Sequence, residues 1–132
     1  MRFLQELSPD MIGIGPYIPH KETPFAKESQ GDFALSLRMV SILRLMFPKC
    51  LIPSTTALGS NHPKGREMGL IAGANVVMPN LSPESVRRKY MIYDNKLITG
   101  GEAAEAVEKL KKQVSDAGYR VVTSIGHSKT VE

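Results

Sequence analysis

Polar and apolar residues alternate along this chain in blocks that switch between two periods. "MIGIG" (11–15) is a short apolar run, and its glycines suggest a close approach to the backbone. After a Pro-rich loop over 16–30, "GDFALSLRMVSILRLMF" (31–47) has helical spacing, with Asp32 as the N-cap. Its apolar arc runs through Phe33, Leu37, Val40 and Leu43 and is widened by Leu35, Met39, Ile42 and Met46, so the helix is expected to be largely buried. Pro48 ends it, and "CLIPSTTAL" (50–58) reads as a second strand that runs out into hydroxyl-bearing residues.

"GREMGLIA" (65–72) predicts a short helix stopped by Gly73, and "ANVVMPN" (74–80) a third strand. "SPESVRRKY" (82–90) opens with a helix-start signature, serine as cap and proline in the first turn. The clearest element is "GEAAEAVEKLKKQVSDAG" (101–118). It sets Ala103, Val107, Leu110, Val114 and Ala117 on one stripe, pairs Glu105 with Lys109 and Glu108 with Lys112, and stops at Gly118. "YRVVTSI" (119–125) is a candidate edge strand, and the last residues are expected to be loose. Strand and helix therefore alternate, the pattern of a parallel α/β sheet with right-handed crossovers, in which ligands sit at the carboxyl ends of the strands. All three candidate strands end alike, in "GPYIPH", "PSTTAL" and "MPNLSP".

Composition narrows the classes. At 132 residues, with 42% hydrophobic and 23% charged residues, the chain suits one soluble domain and has no apolar run long enough for a membrane-spanning helix. "MRFLQELSPD" lacks the apolar core of a secretory signal, which points to the cytoplasm. The net charge of +4 is modest and "VRRKY" is the one basic cluster, which argues against nucleic acid as partner. A single cysteine, Cys50, excludes an intrachain disulfide and any cysteine-held metal cluster built by this chain alone; it reads as a small buried residue rather than a reactive thiol.

Candidate chemistry gathers at the strand ends. "MIGIGPYIPH" could be a phosphate grip, a metal site or the mouth of a barrel. "GIGPYI" offers two glycines of a dinucleotide fingerprint, but Ile18 stands at the third position and Pro16 removes an N–H donor. His20, His62 and His127 fall in separate loops without ligand spacing; His62 and His127 read as solvated, while His20 could line a pocket. The hydroxyls of "STT" (54–56) can bind a carboxylate or other oxyanion, although threonine also simply favours strands. Tyr90 and Tyr93 share a helix face and could stack on a ring or pack in the core. No nucleophile–base pair is visible.

The strings "MIGIGPYIPHKETPFA", "IPSTTALGS", "GREMGLIAGANVVMPNLSP" and "YMIYDNK", in this order over about residues 3–120, resemble the C-terminal third of radical S-adenosylmethionine proteins of the FeFe-hydrogenase maturase (HydE) type, relatives of biotin synthase. The resemblance implies the C-terminal segment of a (β/α)8 TIM-type barrel. Residues 1–94 would supply the last three β/α units and 95–132 a C-terminal helix and tail. It also implies a 4Fe-4S cluster, held by a CxxxCxxC motif in an N-terminal part, that cleaves S-adenosylmethionine to a 5'-deoxyadenosyl radical.

This chain has no CxxxCxxC, so it would act only when completed by the missing N-terminal barrel portion. Ile98 and Ala106 stand where some relatives carry ligands for a second cluster, so none is expected. By resemblance, Met11, Tyr90 and Tyr93 contact S-adenosylmethionine. Pro16, Ile18, Thr55, Thr56 and Met78 line the cavity for a small-molecule substrate, with the threonine hydroxyls placed to hold an anionic group. Biotin-synthase-like chemistry on another substrate, and a non-enzymatic binding or assembly module that self-associates through its uncovered faces, are the alternatives.

Overall fold

The structure is a computed structural model that describes residues 2–83, 86, 103–122 and 126–128. The described helices are α1 (Arg2–Leu7), α2 (Phe33–Met46), α3 (Thr56–Asn61), α4 (Gly65–Ile71) and α5 (Ala103–Asp116); extended segments follow α1, α2 and α4, and a turn at 62–64 links α3 to α4. Asp32 caps α2 as expected, its side chain accepting from the Leu35 N–H at 2.7 Å. Gly73, at φ +120°, ends α4, and Gly118, at φ +83°, follows α5.

The three predicted strands are reduced to isolated parallel bridges, Met11 with Leu51 and Pro53 with Val76. The cause lies in the middle segment. Leu51 takes both bonds of the first pair: its N–H donates to Asp10 O, and its carbonyl accepts from Ile12 N–H, each at 2.9 Å. Two residues on, the donor that would continue this ladder belongs to Pro53, which has no N–H. On the other side, the Asn75 side chain interrupts: its Oδ1 accepts from Ile52 N–H at 2.8 Å, where a ladder carbonyl would otherwise stand. The predicted strand 50–58 also ends early, because α3 begins at Thr56. Complete burial of Leu58 against α4 outweighs the strand preference of the threonines. Residues 119–122 form no bridge, and 123–125 lie outside the described residues.

Ile12, Val40, Leu43, Cys50, Ile52, Leu70, Ala74 and Val114 form the core, drawing α2, α4 and α5 onto the extended segments. Burial alternates along the first segment. Ile12 is buried and Ile14 half-buried, whereas Met11, Gly13 and Gly15 are exposed, so one face lies under helices and the other is open. The wide arc of α2 is only partly covered: Val40 and Leu43 are buried, together with Ser36, but Leu35 and Ile42 of the arc are exposed. On α5 the stripe holds at Leu110 and Val114, joined by buried Ala106; Glu108 pairs with Lys111 at 2.7 Å instead of Lys112.

Arg44 binds the layers together in a way the apolar pattern did not announce. Its guanidinium donates to the carbonyls of Gly73, Phe47, Pro48 and Cys50 at 2.7–3.1 Å, joining the ends of α2 and α4 to the start of the middle segment. Asn75 makes a comparable tie, adding a bond from Nδ2 to Cys50 O at 3.4 Å. Asn75→Ala leaves the Ile52 N–H without its acceptor, and denaturant unfolding is expected to show a loss of about 1–3 kcal/mol.

Candidate functional site

The register fixed at Leu51 and Pro53, continued toward the carboxyl ends, puts Gly15 opposite Thr55 and Thr55 opposite Met78. The first of these meetings is tight. A Cβ on Gly15 would lie 2.6 Å from Thr55 Oγ1 and 3.5 Å from the Ala57 Cβ, so glycine is required for the segments to close here. Thr55 is the extended N-cap of α3, but its hydroxyl makes no capping bond, and Oγ1 is buried without a hydrogen-bond partner among the described residues. An orphaned hydroxyl at a strand exit is a donor held ready for an acceptor.

The sequence-predicted substrate residues mostly gather at this end. Pro16 is buried beside Gly15, Ile18 is half-buried, Thr56 opens α3, and Met78 is 56% exposed. Ser54 is different from its two neighbours: it is buried, and its hydroxyl donates to Arg66 O at 2.8 Å, so it serves the fold. Met11 sits at the opposite end of the first segment, at the bridge to Leu51, 48% exposed on the same open face as Gly15. Tyr90 and Tyr93, the predicted helix 82–90 around them except Ser82, Pro83 and Val86, and Ile98 lie outside the described residues.

Two loops meet at the end of α3: residues 16–31, and the turn 62–64 that leads into α4. The first leaves Pro16 and returns to Gly31, whose N–H donates to Tyr17 O at 2.8 Å; Asn61 at the end of α3 donates to Gly31 O at 3.3 Å. His62, the C-cap of α3, is exposed as expected, yet its ring stacks on Phe33 with centroids 5.0 Å apart. His20 is half-buried within the first loop, and its Nδ1 accepts from the Glu22 N–H at 3.1 Å.

A surface cavity lies at the other end, lined by Ser8, Asp10, Phe47, Lys49 and Cys50 among others. It marks packing rather than chemistry, because the Cys50 Sγ is already bonded to the carbonyls of Pro9 and Asp10 at 3.3 Å. Burial pushes the Cys50 thiol up from its ordinary range, with the Arg44 charge opposing in part, so the thiol stays protonated at neutral pH. A cluster of the CxxxCxxC kind needs three thiolates. One buried, protonated cysteine at the end of the layer away from Thr55 does not fit it, and no three His, Cys, Asp or Glu side chains come together among the described residues. Nor, among these residues, is any helix long and apolar enough to cross a membrane.

In sequence the chain is similar to radical S-adenosylmethionine enzymes, and the resemblance is borne out. It is 41% identical over 129 residues, 98% of its length, to the [FeFe] hydrogenase maturase subunit HydE of Thermotoga maritima, aligning with the C-terminal part. It is also 33% and 34% identical, each over 97 residues and 74% of its length, to the 3-methylornithine synthases of Methanosarcina acetivorans and Methanosarcina barkeri. The chain spans 37% of the HydE protein and 27% of each synthase. No family model matches it.

The Gly15–Thr55 contact is measurable as a coupling. Gly15→Ala is expected to cost about 1–3 kcal/mol in denaturant unfolding. Most of that cost should vanish in a Thr55→Ala background; simple additivity of the two would show that the segments do not meet there.

Proposed function

We propose that this chain forms the C-terminal barrel segment of a cytoplasmic radical S-adenosylmethionine protein of the HydE type, and that its strand ends make one wall of the cofactor and substrate cavity. The 41% identity across nearly the whole chain carries this reading. The parallel register supports it, since Gly15, Thr55, Thr56 and Met78 lie together at the carboxyl ends, where barrel enzymes build their sites. In a barrel of this kind the open face bearing Met11, Gly15 and Met78 is the interior face, and it is covered when the remaining strands close the ring.

In the completed protein the cluster and S-adenosylmethionine supply a carbon radical. This chain's part is to exclude water and hold one target. Pro16, Ile18 and Met78 are apolar walls, and the Thr55 and Thr56 hydroxyls donate to an anionic group of the substrate, fixing its orientation. Tyr90 and Tyr93 complete the contacts to S-adenosylmethionine in this reading. The similarity to 3-methylornithine synthases favours a second reading, the same radical chemistry applied to a different small molecule.

The test is to mix this chain with an N-terminal portion carrying CxxxCxxC, reconstitute it anaerobically with iron and sulfide, and add S-adenosylmethionine and a reductant. The mixture is expected to release 5'-deoxyadenosine and neither part alone to do so. No release from the mixture would overturn the enzymatic reading and leave the alternative of self-association as a binding module.

A further inference from the structure

Two flanks of α2 are taken up by the protein itself. Val40 and Leu43 join Ile12 and Ile52 in the core. To one side of that face, the Ser41 hydroxyl donates to Ala72 O at 2.9 Å and the Arg44 Nε to Gly73 O at 2.7 Å, which seats the helix against the end of α4. The opposite side carries Leu35, Met39, Ile42 and Met46, spaced i, i+4, i+7 and i+11, one apolar stripe along the helix. Leu35 is 55% and Ile42 44% exposed, and the two methionines are only half-buried. Scattered apolar residues are normal on a surface, but a stripe at this spacing is the pattern of a helix that packs on another helix.

The uncovered stripe lies on the side from which the chain enters the layer. Met46, at its end, lines the surface cavity together with Ser8 and Pro9, which join α1 to the first extended segment. Helix α1 is itself uncovered: it has no buried residue, and Phe3 and Leu7 are 68% and 57% exposed. The first segment bridges the middle one at Leu51, and no bridge on its other edge occurs among the described residues. An open segment edge beside an open helix flank marks the place of a preceding strand and helix. Such a unit has a source in the HydE relative: this chain matches its C-terminal part and spans 37% of it, so most of that protein lies on the N-terminal side of the match.

We propose that Leu35, Met39, Ile42 and Met46 form the seam between this chain and the N-terminal portion, and that the occupant is a helix of that portion packing lengthwise through an apolar stripe of its own. The identity of the occupant rests on the barrel reading above; the uncovered flank does not.

Co-expression of the tagged full chain with the N-terminal portion of the Thermotoga maritima HydE protein tests the seam, read as the amount of that portion that co-purifies. Ile42→Asp, which would bury a charge in the seam, is expected to lower recovery about ten-fold or more. Leu45→Asp, on the outward side of the same helix where the side chain is 83% exposed, should stay within about two-fold of the unchanged chain. Co-purification that Ile42→Asp leaves intact would overturn the seam alone, whereas no co-purification with the unchanged chain would overturn the barrel reading with it. Sedimentation of the chain by itself covers the other occupant: a dimer that Ile42→Asp dissolves would overturn the proposal in favour of a second copy. Denaturant unfolding of the isolated chain is expected to be unaltered by Ile42→Asp. Should its midpoint fall, Leu35→Asp is read in its place against the same outcomes.

Discussion

Leu51 is bound on both sides of its peptide by the first segment, and this pair of bonds sets the register of the whole layer. In a parallel pairing a slip of one residue turns every side chain to the opposite face. Here the slip would move Ile12 out of the core and carry Gly15 away from Thr55. The steric demand at Gly15 and the burial of Ile12 therefore specify the same alignment from two ends. The alignment holds despite short ladders. Pro53 and the Asn75 side chain each remove one rung, and the packing of Val40, Leu43 and Leu70 replaces what the lost backbone bonds would have contributed.

The two ends of the layer have different characters. At the amino end, polar side chains tie segments together: Arg44 takes up four carbonyls, although its Nη2 is buried without a partner among the described residues, and Cys50 bonds the Pro9 and Asp10 carbonyls. Burial there keeps the thiol neutral, which suits packing and suppresses nucleophilic chemistry. At the carboxyl end, the Thr55 hydroxyl is left without a partner among the described residues. Its place at a segment exit, against Gly15 and at the start of α3, directs attention to the carboxyl end.

Much of this was legible in the chain. Asp32, Gly73 and Gly118 act locally, and local capping rules placed helix limits close to where they fall. The hydroxyl cluster was found from its position after an apolar run, but its division of labour was not. Ser54 follows Cys50 and Ile52 onto the buried face and meets Arg66 O, while Thr55 turns the other way and meets Gly15; which partner waits on each side is a long-range matter that local spacing does not state. Arg44 and Asn75 carry no such trace either: each joins its own neighbourhood to a backbone group far along the chain, Gly73 O for Arg44 and the Ile52 N–H for Asn75. The open arc of α2 went unread because apolar spacing states which face can be buried and says nothing about how much of it finds a neighbour. The proposed contacts of Met11 and the tyrosine pair with S-adenosylmethionine come from family likeness alone, since no single motif in this chain implies that cofactor.

The register at Leu51 is the claim on which the site depends, and scalar couplings across hydrogen bonds measure it directly. The account predicts a coupling from the Ile12 amide to the Leu51 carbonyl and another from the Ser54 amide to the Val76 carbonyl. Coupling of the Ile12 amide to the carbonyl of Cys50 or Ile52 would contradict it, because Gly15 and Thr55 would no longer meet.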